Sequence, residues 1–175
     1  MFLARKFSNA KWFSNSGAPF HPISADAVTS DLRTQDNKLS FWECATENEQ
    51  SLREVVLAIT SNYRQLDKCY VVWIEIEKAN ALGIELVQSP GNTPVRDLVN
   101  RHMDMCQLDY FRLGDVAGLI SESLSKSRFT PFEKKDVCEI LADAVTADRV
   151  VVDALEDKLQ NAVQKCLDQR VDGRK

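Results

Sequence analysis

The chain has 175 residues, of which 44% are hydrophobic and 27% are charged, and its formal net charge at pH 7 is −4. This length suits one ordinary folded domain with its own core, and the composition excludes disordered and collagen-like proteins. The acidic balance argues against general binding to nucleic-acid phosphates, and no apolar stretch is long enough for a helix across a bilayer.

Residues 1–22 are basic and aromatic. Arg5, Lys6 and Lys11 are accompanied there by no acidic residue. We predict that this segment forms a surface arm, whose aromatic rings pack onto the domain while its cations stay in water. An organelle transit peptide is the alternative, because such peptides are also basic and poor in acids. Trp12 is the best candidate in the arm for an exposed contact with a partner.

Residues 23–128 alternate between strand and helix patterns. Runs rich in apolar and aromatic residues predict strands at 39–44, 69–75, 84–87 and 108–113. The second run is nearly continuous in apolarity, which is typical of a strand covered on both faces. The predicted helices are a short one starting at Ser24, one behind Thr46, a short one ending at Gly83, one from Thr93 to Cys106, and one from Asp115 to Lys126.

Two capping boxes predict helix starts, since the pattern Ser/Thr-x-x-Glu satisfies two main-chain donors at once. They lie at 46–49 and 130–133, and the second has proline at the first helical position, where its missing N–H costs nothing. Residues 129–171 are therefore predicted to form a helical hairpin. The apolar face of the last helix would lie against the sheet, the preceding helix or a second subunit.

The order of these elements predicts an α/β fold, or an α+β fold. Strands that alternate with helices favour some parallel pairing, because parallel neighbours need a crossover and the crossover is usually a helix. We expect a small mixed sheet of about four strands with flanking helices and a C-terminal helical hairpin. The chain shows no internal repeat, and residues 1–175 are predicted to form a single domain.

The five cysteines are spaced too widely for a zinc site or a redox motif. Cys44, Cys69, Cys138 and Cys166 sit among apolar neighbours, so we interpret them as small buried side chains in a reducing, cytoplasmic compartment. Glycine-rich phosphate loops and Gly-x-Ser-x-Gly are absent from the sequence. We expect no cofactor and no metal.

Two segments could hold an anionic ligand. Asp31, Arg33 and Asp36 form a polar cluster just before a predicted strand, where loops often line clefts, although a turn with local hydrogen bonds explains them equally well. Thr93 lies at a predicted helix start, where open main-chain donors can bind an anion. The same residues also suffice to make a turn and a cap.

The densest group of possible ligands is His102, Asp104 and Cys106. On a helix, His102 and Cys106 would be four residues apart and share a face, as two metal ligands do. That face is also the apolar stripe of the predicted helix. Packing at the edge of the core is therefore the simpler interpretation of His102.

Missing catalytic motifs, modest acidity and a long amphipathic last helix favour a protein-binding module. We expect an accessory or inhibitory, immunity-like bacterial protein, whose acidic face meets a basic partner or which forms a homo-oligomer through its C-terminal helices. The alternative is a small enzyme or ligand-binding domain that acts on a nucleotide-like or other anionic substrate.

Overall fold

The computed structural model of the chain describes residues 1–13, 19 and 23–172. Within them the strands are β1 (Phe2–Phe7), β2 (Leu39–Cys44), β3 (Cys69–Glu75), β4 (Glu85–Gln88), β5 (His102–Cys106) and β6 (Phe129–Phe132). The α-helices are α1 (Asn9–Trp12), α2 (Ala25–Asp31), α3 (Glu49–Thr60), α4 (Ile76–Ala81), α5 (Tyr110–Ser125), α6 (Lys134–Thr146) and α7 (Asp157–Asp172), with short 3₁₀ helices at Arg96–Arg101 and Val152–Ala154. No helix in these ranges is long and apolar enough to cross a membrane.

The strands form one sheet in the order β4-β5-β2-β1-β3-β6. It has six strands rather than about four, and every pairing in it is antiparallel. The expected parallel pairing is wrong for a specific reason. β2 and β3 run in the same direction and α3 connects them as a crossover, but β1 lies between them and pairs antiparallel with both.

The first strand lies inside the sheet, so the prediction of a surface arm over residues 1–22 is wrong for its first third. β1 pairs with β3 along its whole length, from Phe2 opposite Glu75 to Phe7 opposite Tyr70. Leu3 and Ala4 are fully buried. The buried side chains of β1 account for its position inside the sheet. Of the three cations that suggested an arm, Arg5 and Lys6 lie at the end of β1, beyond its last pair with β2.

Helices cover both faces of the sheet, and alternate side chains of β1 point into the two layers. Ala4 joins the core under α3, α6 and α7. Leu3 and Phe7 join the core under α1, α2, α4 and α5. The cysteines carry no disulfide. Cys44, Cys69 and Cys138 are buried, as their apolar neighbours predicted, whereas the same prediction is wrong for Cys166, which is only half-buried.

The predicted C-terminal helical hairpin is formed by α6 and α7. It begins later than expected, because residues 129–132 form the edge strand β6 beside β3. The apolar face of α7 is turned inward: Leu159 and Val163 are fully buried in the core that α6 also covers. The thiol of Cys138 on α6 lies 3.6 Å from the main-chain oxygen of Ala162 on α7.

Two sequence-based assignments between residues 93 and 113 are wrong. The expected helix from Thr93 to Cys106 is a 3₁₀ turn followed by β5, which fills the sheet between β2 and β4. The expected strand at 108–113 begins α5, where the Asp109 side chain accepts a hydrogen bond from the main-chain N–H of Arg112 at 2.8 Å. In the first case, pairing with strands distant in the sequence outweighed the local helical pattern. In the second case, the helix cap at Asp109 outweighed the local strand pattern.

Both capping boxes are displaced toward the C-terminus. The cap of α3 is Asn48, whose side chain accepts from the main-chain N–H of Ser51 at 2.8 Å. The cap of α6 is Glu133, which forms a reciprocal box with Asp136. The sequence therefore predicted that these helices exist, and missed each start by two or three residues.

Candidate functional site

Asp31 is a structural anchor at the end of α2. Its carboxylate accepts hydrogen bonds from the main-chain N–H of Ser8 at 2.6 Å, the Ser8 hydroxyl at 2.8 Å, the Trp12 indole N–H at 2.9 Å and the Ser30 hydroxyl at 3.0 Å. Trp12 is only 3% exposed. The expected exposed aromatic contact at Trp12 is therefore wrong, because its ring packs in the core and its N–H binds this carboxylate.

Arg5 links β1 to both α2 and β2. Its Nε and Nη2 donate to the main-chain oxygen of Asp31, at 3.2 and 2.6 Å, and its Nη1 donates to the main-chain oxygen of Ser40 at 2.6 Å. These bonds go to carbonyls rather than to a carboxylate. Burial lowers the pKa of Arg5 to about 10, so the guanidinium is charged at neutral pH.

A cleft opens where β1 and β2 separate. Their ladder ends at the pair Ala4 and Trp42, and beyond it the strands diverge around Arg5. The cleft has a volume of about 380 Å³, within the range of small-ligand sites. Apolar wall is provided by Phe7, Trp42, Ala58 and Ile59, and the polar lining residues include Arg5, Lys6, Ser8, Asp31, Ser40, Asn62 and Asn92.

Behind this cleft, Ser89, His102 and Asp104 form a polar network. The Ser89 hydroxyl donates to Asp104 Oδ2 at 2.7 Å and lies 2.9 Å from His102 Nδ1. Ser40 Oγ adds a bond to Asp104 Oδ1 at 3.2 Å. The side chains of His102 and Asp104 are only 11% and 12% exposed.

The network does not have the geometry of a catalytic triad. In a triad the histidine accepts the serine proton and the carboxylate orients the histidine. Here Asp104 Oδ2 lies 2.7 Å from the Ser89 hydroxyl, so the carboxylate contacts the serine directly. Its other oxygen, Oδ1, is 4.0 Å from His102 Nε2, too far for a hydrogen bond that would orient the ring. Serine is not activated as a nucleophile, and the network serves to join the segment after β4 to β5.

The remaining candidates lie elsewhere. Arg33 and Asp36 are exposed, and Asp36 has a positive φ of 53° in the turn that precedes β2. Thr93 Oγ1 is 3.0 Å from Ser61 Oγ and accepts from the main-chain N–H of Val95 at 3.3 Å. The predicted residues therefore do not converge on one pocket: Asp31 lines the cleft, while His102 and Asp104 lie behind it.

The most exposed aromatic side chains of the described residues are Tyr110 and Phe111, at 88% and 83%. They occupy the first turn of α5, with ring centroids 6.4 Å apart in an edge-on arrangement. Leu82, 41% exposed, lies beside this turn, because the guanidinium of Arg112 donates to its main-chain oxygen. The sequence predicted a strand here and carried no signal that both rings face solvent.

A shallow hollow continues from the aromatic pair along α5. It has a volume of about 440 Å³ and is lined by Leu82, Gly114, Gly118 and residues of α4. Phe111, Gly114 and Gly118 are spaced by three and four residues, so they share one face of the helix. We call Leu82, Tyr110, Phe111, Gly114 and Gly118 the aromatic surface.

Among residues 1–13, 19 and 23–172, no group of three or more His, Cys, Asp or Glu side chains is placed to hold a metal ion. Comparison with known proteins gave no relative, since no family model, no curated protein and no solved structure matches the chain significantly. A function for this chain therefore rests on its own surface and clefts.

Proposed function

We propose that the chain is a protein-binding module whose contact surface is the aromatic surface. The observation that carries this proposal is the exposure of two adjacent rings, Tyr110 at 88% and Phe111 at 83%. Fully burying one large apolar side chain is worth about 1.5–3 kcal/mol. Two neighbouring rings therefore offer a partner much of the binding free energy of an ordinary interface.

The aromatic pair is held on a rigid support, which lowers the cost of binding. Both rings project from the first turn of a helix of 16 residues, and the Asp109 side chain caps that turn. Arg112 ties the same turn to the end of α4 through the main-chain oxygen of Leu82. Because the main chain is already ordered, the conformational entropy lost on binding comes mainly from fixing the two side chains.

The charge beside the aromatic pair is negative, which favours a basic partner. Asp109 precedes the rings and Asp115 lies one turn after Phe111, and neither forms an ion pair with another described residue. Two cations lie nearby: Arg112 donates to the main-chain oxygen of Leu82, and Lys78 forms an ion pair with Glu122. We infer a partner protein with an apolar hollow edged by Lys or Arg side chains, a pairing that also speeds association.

A basic partner is what the finer proposal, an accessory or inhibitory protein of a bacterial system, requires. The expected contact through the C-terminal helices has less support, because the apolar face of α7 is buried in the chain's own core. An enzyme has less support for another reason, since the Ser89, His102 and Asp104 network offers no activated nucleophile.

Site-specific photo-crosslinking tests the proposal. A photoreactive benzoylphenylalanine is placed at Phe111 in cells that produce the protein naturally, and in parallel at Val151. Val151 is a matched control, because it is also an exposed apolar residue, at 69%, but lies outside the aromatic surface. We expect one protein to crosslink to position 111 and not to position 151, and to form a stoichiometric complex with the purified chain.

The proposal is wrong if both positions crosslink the same proteins. It is equally wrong if the protein captured at position 111, once purified, forms no complex with the unmodified chain. Surface plasmon resonance at two salt concentrations adds a second readout, because a basic partner should associate more slowly at higher ionic strength.

A further inference from the structure

The lining of the cleft between β1 and β2 carries more positive than negative charge. Arg5 and Lys6 line it, and neither forms an ion pair with a described residue. Asp31 is the only carboxylate of the described lining, and it acts electrostatically on Arg5, so two cations share one anion there. The segments 14–18 and 20–22 contain no acidic residue that could supply a counter-charge.

The nearby Asp31 offsets the cost of burying the Arg5 guanidinium only in part, since burial still lowers the pKa of this group. Three of the N–H groups of Arg5 are used by main-chain oxygens, and a guanidinium has two more. Lys6 Nζ lies 4.4 Å from the centroid of the Tyr63 ring. Lys6 lines both this cleft and the neighbouring hollow that contains Tyr63, so its side chain lies where the two meet.

Neutral donors complete the lining. Asn62 and Asn92 stand on the rim, and the Asn62 amide donates to the main-chain oxygen of Asn92. This bond joins the end of α3 to the loop that precedes the 3₁₀ helix, so the rim is closed on that side. One N–H of Asn62 and the side-chain amide of Asn92 are left to meet a polar ligand.

We propose that this cleft binds the phosphate group of a small phosphomonoester, with Arg5 and Lys6 as its cationic contacts. Arg is well suited to this role, because its planar fork matches phosphate oxygens. A cavity of about 380 Å³ has room for a phosphate and a small organic group, with Trp42 and Ile59 as the apolar wall. The cleft and the aromatic surface share no residue, so this proposal can be tested independently of the protein-binding proposal.

Isothermal titration calorimetry on the full chain tests the site, with inorganic phosphate and AMP as probes. We expect saturable binding at one site, tighter for AMP if the organic group uses the apolar wall and equal for both if only the phosphate is recognised. Either result supports the site. No binding of either probe at 10 mM, about the top of the range for weak metabolite sites, would overturn it.

Two variants locate the binding. Lys6→Ala removes an exposed cation and should weaken phosphate binding about tenfold, the usual effect of losing one charge-assisted contact. Lys68→Ala is the matched control, since Lys68 Nζ also lies over a tyrosine ring, 5.2 Å from the centroid of Tyr70, but outside the cleft. Equal phosphate affinity of Lys6→Ala and Lys68→Ala would overturn the proposal. Arg5→Lys, checked for folding by circular dichroism, should weaken binding further because the fork is lost.

Discussion

At the scale of single residues, Gly91 shows how closely two segments approach. A Cβ added there would lie 2.4 Å from Cη2 of Trp42 and 2.8 Å from the Cβ of His102. The main-chain N–H of Gly91 donates to the Val99 oxygen at 2.8 Å, which leaves the loop little freedom to retreat. Only glycine at this position lets the loop after β4 pack against Trp42, at the core under α3, α6 and α7.

We predict that Gly91→Ala destabilises the protein by about 1–3 kcal/mol, because an added methyl group overpacks a filled site. Gly114→Ala is the control: nothing lies within 4 Å of a Cβ at that position, and alanine in an exposed helix interior should stabilise by roughly 0.5–1 kcal/mol. Urea unfolding measures both changes. A Gly91→Ala variant as stable as Gly114→Ala would contradict the packing described here.

The buried thiol of Cys44 makes the free energy of unfolding depend on pH in the alkaline range. Burial raises the pKa of Cys44 from its ordinary value of 9.0 to about 11. A raised pKa means that the folded state favours the protonated thiol, so this contribution is complete below pH 9 and is lost as the pH rises through 11. We predict that the free energy of unfolding falls between these values, and that the fall is shallower for Cys44→Ala in urea titrations at each pH. An equally steep fall in the variant would show that other groups cause it.

At the scale of elements, the central place of β1 is the feature most remote from the sequence pattern. Leu3→Ala removes a fully buried side chain from a strand with a neighbour on each side, and we predict a loss of about 2–5 kcal/mol. Lys6→Ala in the same strand should change stability by less than about 1 kcal/mol, because that side chain is exposed. Thermal and urea unfolding of the two variants check this contrast. A Leu3→Ala variant no less stable than Lys6→Ala would contradict the central, buried position of β1.

The elements that local pattern alone defines were predictable. β2 and β3 carry their own apolar and aromatic character, and α3 and α6 carry amphipathic stripes. β1 and β5 were missed because their strand character comes from partners distant in the chain: β1 pairs with residues up to 75, and β5 fills the gap between β2 and β4.

The candidate site was less predictable than the fold. Asp31, His102 and Asp104 were singled out as polar residues in unusual places, and each is a hydrogen-bonding centre. Arg5 reaches the main chain of Asp31 and Ser40 only once β1 lies beside β2. Ser40 and Ser89 reach Asp104 only once β5 lies between β2 and β4. The exposure of Tyr110 and Phe111 could not be predicted, because the same local sequence is compatible with a strand, a buried helix or a surface turn.

At the scale of the whole molecule, neither of the two cores includes the solvent-facing side of α5, where the aromatic surface lies. Helices close both sides of the sheet, and α7 is covered by its own chain. The largest exposed rings remain on the aromatic surface, away from the cleft that Arg5 and Lys6 line. The fold thus separates a face suited to a protein from a cleft suited to a small anion.

The most direct measurement is the affinity of the purified partner for the wild-type chain, for the double variant Tyr110→Ser with Phe111→Ser, and for Val151→Ser. Serine keeps each exposed position soluble and removes the ring. We predict that the double variant binds at least about 100-fold more weakly, the usual effect of losing two hot-spot residues, and that Val151→Ser binds within about twofold of the wild type. A double variant that folds normally and binds as tightly as the wild type would contradict the proposed function.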